Sequence, residues 1–125
     1  MVPGFYERII PLPELPEVLA TAWLVALIEG TCADALRPFL QDDETSVGVS
    51  VAIDHIAPTP AGFDVTARVR LDTRDGRRVI FNAECVDNAE VVAKATHKRI
   101  IIDKSRFADR LYAKQEVESL LRKPT

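Results

Sequence analysis

Fifteen residues, Val18 to Cys32, read V-L-A-T-A-W-L-V-A-L-I-E-G-T-C, and they restrict the chain more than any other stretch. The run is long enough for a helix, and Thr21 and Glu29 are its main polar interruptions. Leu19, Trp23 and Leu27 on one side, with Val25, Ile28 and Cys32 on another, put apolar groups around most of its circumference. A helix apolar nearly all round belongs inside its domain. Pro16 and Glu17 suit a helix start, and Pro38 forces an end or a kink near Leu36–Arg37. Glu29 is then the anomaly, because a buried carboxylate is costly unless it is paired, hydrogen-bonded or protonated.

After the polar loop Gln41-Asp42-Asp43-Glu44 the period changes from 3.6 to 2. Val47, Val49, Val51 and Ile53 alternate with small or polar residues, which predicts a first strand to about Ile56. Pro58 to Gly62 is a turn. Phe63, Val65, Ala67, Val69 and Leu71 form a second alternating strand with one solvated face. Asp75-Gly76 marks a hairpin, Val79 to Cys85 a third strand, and Val91 to Ile102 a fourth. On the fourth, Ala93, Ala95, His97, Arg99 and Ile101 share one face. Ser105 to Leu111 reads as a short helix capped by Ser105, and the charged segment from Lys114 onward as a helix that frays. One helix against four antiparallel strands is an α+β layer arrangement. The helix needs more cover than one sheet face gives, so a homodimer is expected. The expected organisation is an extended, proline-broken arm at 1–16, the main domain at 17–111, and a charged tail at 112–125.

Composition narrows the function. The 125 residues carry a formal net charge of −3, which argues against non-specific nucleic-acid binding. No apolar run reaches the ~20 residues of a membrane span, and no signal-peptide pattern opens the chain, so the expected location is cytoplasmic. Cys32 and Cys85, isolated in apolar settings, read as buried free thiols in a reducing compartment. His55 and His97 are the two histidines, and neither lies near a cysteine, so no metal-ligand spacing is present.

Three stretches carry a family resemblance: L-A-T-A-W-L-V-A-L-I-E at Leu19–Glu29, S-V-G-V-S-V-A-I-D-H-I-A-P-T-P at Ser46–Pro60, and A-T-H-K-R at Ala95–Arg99, with D-G-R-R between them. In order and spacing, from about Pro16 to Phe107, they resemble the fluoroacetyl-coenzyme A thioesterase-like family of hot-dog-fold enzymes. The resemblance implies a long helix wrapped by a curved antiparallel sheet, a working dimer, and hydrolysis of an acyl-coenzyme A thioester without metal or redox cofactor. It implies a catalytic triad at Thr21, Glu29 and His55, and a backbone N–H at Gly48 facing the thioester carbonyl. Arg99, in the family's T-H-x-R segment, is a candidate for a coenzyme A phosphate contact. In the family, aromatic residues before the helix lid the acyl pocket. Here that segment reads P-L-P-E-L-P-E, and the matching lid positions are Leu12 and Leu15.

The chemistry fits those residue types. Thioester hydrolysis needs an attacking oxygen, a base and a donor for the developing oxyanion. A threonine hydroxyl is a weak nucleophile until a base takes its proton, and an imidazole changes charge near neutral pH. Glu29 could orient the imidazole or act as base on water, and sequence leaves both open. Thr21 and Glu29 are eight residues apart, about 12 Å along a helix axis. A single imidazole barely spans that, so either Thr21 starts the helix or the site draws on two protomers. Two alternatives remain. A hot-dog hydratase or dehydratase would use a His–Asp pair, but Asp54 and His55 are strand neighbours and point to opposite faces. A non-catalytic acyl-coenzyme A binding module would not require Thr21, Glu29 and His55 together.

Overall fold

The computed structural model describes residues 19–122. The arm at 1–16 lies outside them, and so do Leu12 and Leu15. Helix α1 spans Thr21–Leu36 and passes into a 3₁₀ turn, Arg37–Phe39, that takes up Pro38. Within the described residues it therefore starts three positions later than Val18 and runs four beyond Cys32. Its buried residues are Leu24, Ile28, Cys32 and Leu36, one i,i+4 stripe. Part of its remaining apolar surface is open: Trp23 and Leu27 are each 37% exposed, while Ala22, Val25 and Ala26 are half-buried. Glu29 is also exposed, so the expected buried carboxylate is not buried by its own chain.

The four strands are β1 (Glu44–His55), β2 (Thr66–Asp75), β3 (Arg78–Val86) and β4 (Val91–Asp103). They pair antiparallel in the order β1-β4-β3-β2. One face packs on α1. Val79, Phe81, Ala83 and Cys85 of β3, with Ala93 and Ile101 of β4, close the core over the helix stripe. The opposite face carries Asp54, Lys94, Glu84 and Arg68 in register, a row of alternating charge that suits contact with water. Gly76, at φ +60°, takes the first central position of the β2–β3 turn, and Arg77 keeps a negative φ, as in a type II′ hairpin.

β1 carries a bulge. Gly48 pairs with Arg99 but Ser50 already pairs with Lys98, so Val49 is the extra residue. Simple alternation put Val47, Val49, Val51 and Ile53 on one face. The bulge reverses the phase: Ser46 and Gly48 before it, and Val51, Ile53 and His55 after it, all face α1.

The C-terminal segment is one helix rather than two. α2 runs unbroken from Lys104 to Arg122, because no Pro or Gly interrupts a run rich in Ala, Leu, Lys, Arg and Glu. Its cap is Asp103, not Ser105: Asp103 Oδ1 accepts the N–H groups of Ser105 at 3.0 Å and Arg106 at 3.1 Å, and the Ser105 hydroxyl at 2.9 Å. None of its residues is buried.

Candidate active site

Two groups of side chains stand at different levels of α1. At its start, Thr21 is the first residue of the regular helix, and Ala20 before it offers no capping side chain. Its hydroxyl is therefore not occupied as a cap. It lies 2.8 Å from Nδ1 of His55, the last residue of β1. Backbone contacts hold this pair together. The N–H groups of Ile56 and Ala57 both donate to the Val92 carbonyl, at 2.7 and 3.2 Å, and turn the chain after His55. The Leu19 N–H then donates to the Thr59 carbonyl at 3.0 Å, tying the helix start to the same loop. Thr59 is itself buried and donates its hydroxyl to Asp87 Oδ2 at 3.0 Å. The other ring nitrogen, His55 Nε2, is buried with no hydrogen-bond partner, the one such side-chain atom among the described residues. An orphaned buried nitrogen in a site is a place for a group from elsewhere.

The second group surrounds Gly48. A Cβ placed there would lie 2.9 Å from Glu29 Oε1, 3.1 Å from His97 Cε1 and 3.4 Å from Arg99 Nη1. Only glycine leaves room for that convergence. His97 is fully buried and Arg99 is 7% exposed. Arg99 donates from Nε to Ser46 Oγ at 3.0 Å, from Nη2 to the Ser46 carbonyl at 3.0 Å, and from Nη1 to His97 Nε2 at 3.1 Å. His97 Nδ1 in turn lies 2.9 Å from the Ser50 carbonyl. Burial pushes the Arg99 guanidinium down from its ordinary range, and the nearby Glu29 charge opposes that. Burial raises the neighbouring Cys32 thiol to about 11, with the Arg99 charge opposing and the Glu29 charge adding.

The structure thus brings Thr21 to His55, and Glu29 to Gly48, but does not join the two pairs within one chain. Gly48 and His55 are seven residues apart on β1, roughly 20 Å of strand. The guanidinium of Arg99, the candidate phosphate contact, is turned into the interior, where it donates to Ser46 and His97. His97 received no role from sequence, although its place among Ala93, Ala95 and Ile101 marked it as a polar residue on an apolar face. Asp54 is exposed on the outer face while His55 points to the helix, so the two do not form a His–Asp pair.

An apolar cleft of about 380 Å³ opens at the start of α1, lined by Leu19, Ala20, Trp23, Pro60, Phe63 and Val65 among others; Thr21 and His55 are not in its lining. A larger depression, about 830 Å³, lies over the charged outer face around Asp54, Arg68 and Lys94, and it contains neither Thr21 nor His55. Among the described residues no group of three or more His, Cys, Asp or Glu side chains is placed to hold a metal ion. No described helix is long and apolar enough to cross a membrane.

Comparisons with known proteins bear on the family and the fold. The family model described as FlK, fluoroacetyl-CoA-specific thioesterase, matches residues 8–105. A fluoroacetyl-CoA thioesterase from Streptantibioticus cattleyicolor is 35% identical over 94 residues, covering 75% of this chain and 68% of that protein. A solved structure of the fluoroacetyl-CoA thioesterase FlK superimposes with a TM-score of 0.82 at 32% identity, over 90% of this chain and 84% of that one. A thioesterase superfamily member from Thermus thermophilus shares the fold alone, with a TM-score of 0.82 at 22% identity over 85% of this chain and 78% of its own. With the helix-and-sheet architecture, these matches show that the chain is a hot-dog-fold thioester hydrolase and belongs to the FlK family of acyl-CoA thioesterases.

Proposed function

We propose that the protein hydrolyses a short acyl-coenzyme A thioester at a site shared by two copies of the chain. The carrying observation is the division of the site: a Thr21–His55 pair with an orphaned Nε2 at the helix start, and Glu29 beside Gly48 two turns further on. If two α1 helices pack antiparallel about the middle of the segment from Thr21 to Glu29, each Thr21 faces the partner's Glu29. The exposed face of α1 suits that packing. Trp23 and Leu27 supply apolar surface, and Ala22, Ala26 and Gly30 at i,i+4 spacing let backbones approach. A Cβ at Gly30 meets nothing in the single chain.

In this arrangement the Thr21 hydroxyl donates to His55 Nδ1, and Nε2–H donates to the Glu29 carboxylate of the second copy. His55 takes the hydroxyl proton as Thr21 Oγ attacks the thioester carbon. The Gly48 N–H of the second copy, beside that copy's Glu29, stabilises the oxyanion, the C–S bond breaks, and the imidazolium returns the proton to the coenzyme A thiolate. Water then releases the acid. The acyl group occupies the 380 Å³ cleft beside Trp23. The buried thiols Cys32 and Cys85 fit a reducing cytoplasm.

The substrate reading rests on the segment P-L-P-E-L-P-E. Aliphatic Leu12 and Leu15 in place of aromatic lid residues remove flat, quadrupolar surface from the acyl pocket. Small apolar differences alone give only about 1–3 kcal/mol of discrimination. The protein should therefore accept several short or branched acyl groups, with less than ~100-fold preference for fluoroacetyl over acetyl in kcat/KM. Thiol release from a panel of acyl-coenzyme A thioesters measures this. A preference of several thousand-fold would rule out the lid argument, and no release from any thioester would rule out the activity.

A further inference from the structure

We infer that His97 is a positioning residue: through one directed line of hydrogen bonds it holds the Gly48 peptide and the Arg99 guanidinium in a single fixed arrangement. The inference rests on the reading of Gly48 as the oxyanion donor, and deepens it. Arginine donates and cannot accept, so the contact between Arg99 Nη1 and His97 Nε2 leaves Nε2 without a proton. The ring proton then sits on Nδ1 and is given to the Ser50 carbonyl. The line therefore runs from Arg99 through His97 to Ser50, and its sense is set by Arg99.

Its two ends bracket the bulge. Arg99 grips Ser46, two residues before Gly48, through both Oγ and the carbonyl. His97 grips Ser50, two residues after it. The bulge leaves Val49 unpaired directly after Gly48 and breaks the regular ladder there, so β1–β4 pairing holds the chain around Gly48 on one side only. Side chains of β4 supply what the ladder lacks. His97 also lies under Gly48 itself, its Cε1 only 3.1 Å from where a Cβ would stand. Arg99 is in none of the ion pairs formed by the described residues, and the Glu29 charge, across the gap at Gly48, acts to hold it protonated against burial. Without the acceptor at Nε2 the guanidinium loses one of three anchors and can swing into that gap. A core histidine with a packing role would fill the same space and need neither proton placement.

His97→Leu and His97→Gln separate these roles. Leucine keeps an apolar core filled and removes both hydrogen bonds, whereas glutamine keeps a donor and an acceptor. We expect His97→Leu to lower kcat at least ~10-fold with KM within about three-fold, and His97→Gln to recover most of the loss. Equal kcat in all three proteins, or equal losses in both variants, would overturn the inference. Two readouts do not need activity. Long-range proton–nitrogen spectra of a chain with only two histidines should show one neutral ring protonated at Nδ1, absent from His97→Gln; an Nε2-protonated or charged ring there would overturn it. Amide exchange at Gly48 and Val49 should quicken at least ~10-fold in His97→Leu, and unchanged exchange would count against positioning. If the wild-type chain releases no thiol while the exchange effect is present, the thioesterase site has failed and the positioning of Gly48 stands.

Discussion

The two ends of the proposed site are built in opposite ways. At Thr21–His55 one hydrogen bond of 2.8 Å joins two side chains, and the far ring nitrogen is left buried and unpartnered. Around Gly48, three donors of Arg99 and both nitrogens of His97 are engaged, and the strand itself is bulged to meet them. In the proposed site the first end is completed by a second copy, whereas the second end is over-determined within one chain. A base that must change its hydrogen bonds during turnover tolerates a sparse setting. A backbone donor that must aim at one point gains from being held rigid, because preorganised donors need no reorganisation as charge develops.

The sharpest way to break this contrast is at the sparse end. His55→Ala should lower turnover at least ~100-fold with the fold intact, the lower range for lost acid–base catalysis. Glu29→Gln should also be strongly impaired. Mixed and re-equilibrated, the two inactive proteins should regain activity at about a quarter of the sites, because half the dimers are mixed and each holds one intact site. No recovery on mixing would place both residues of a site in one chain. Thr21→Ala should match the His55→Ala loss while Thr21→Ser retains much more; equal losses would point to an activated water instead.

At the rigid end, Gly48→Ala tests the packing. The added methyl would sit 2.9 Å from Glu29 Oε1, the movable end of a flexible side chain, and 3.1 Å from His97, which cannot give way. Turnover should fall about 10- to 100-fold through misplacement of the Glu29 carboxylate, and thermal stability should fall as well, because the methyl presses on a buried ring. A variant with full turnover would show that the glycine is not needed for that convergence.

The smallest effect lies away from both. Asp103→Ala removes the cap of α2, so the far-ultraviolet helix signal should drop while turnover is unaffected. The hydrogen bonds from Arg106 and Ser105 hold the Asp103 carboxyl below the usual carboxylate range. A depressed carboxylate stabilises above its unfolded value, so the wild-type cap persists through mild acid and is lost only as pH falls through the lowered value. An unchanged helix signal in the variant would remove Asp103 as the cap.

Much of this was legible along the chain because it depends on local pattern. The 3.6 period of Val18–Cys32, the twofold periods of the later segments, Pro38 and Asp75-Gly76 are read from neighbours in sequence, and they produced a helix followed by four antiparallel strands. The single helix at Lys104–Arg122 was legible too, had the absence of Pro and Gly there outweighed its charge. What sequence could not decide was parity and partnership. Gly48 and His55 differ by an odd number of positions, so a regular strand would send them to opposite faces, and only the bulge at Val49 turns both toward α1. Likewise, alternation along β4 puts His97 and Arg99 on one face, but nothing near Arg99 in sequence says that Ser46 will occupy its other donors, or that Glu29 will sit by Gly48. Those contacts join residues on different elements, and their distances are set by how a curved sheet closes on a helix rather than by any spacing along the chain.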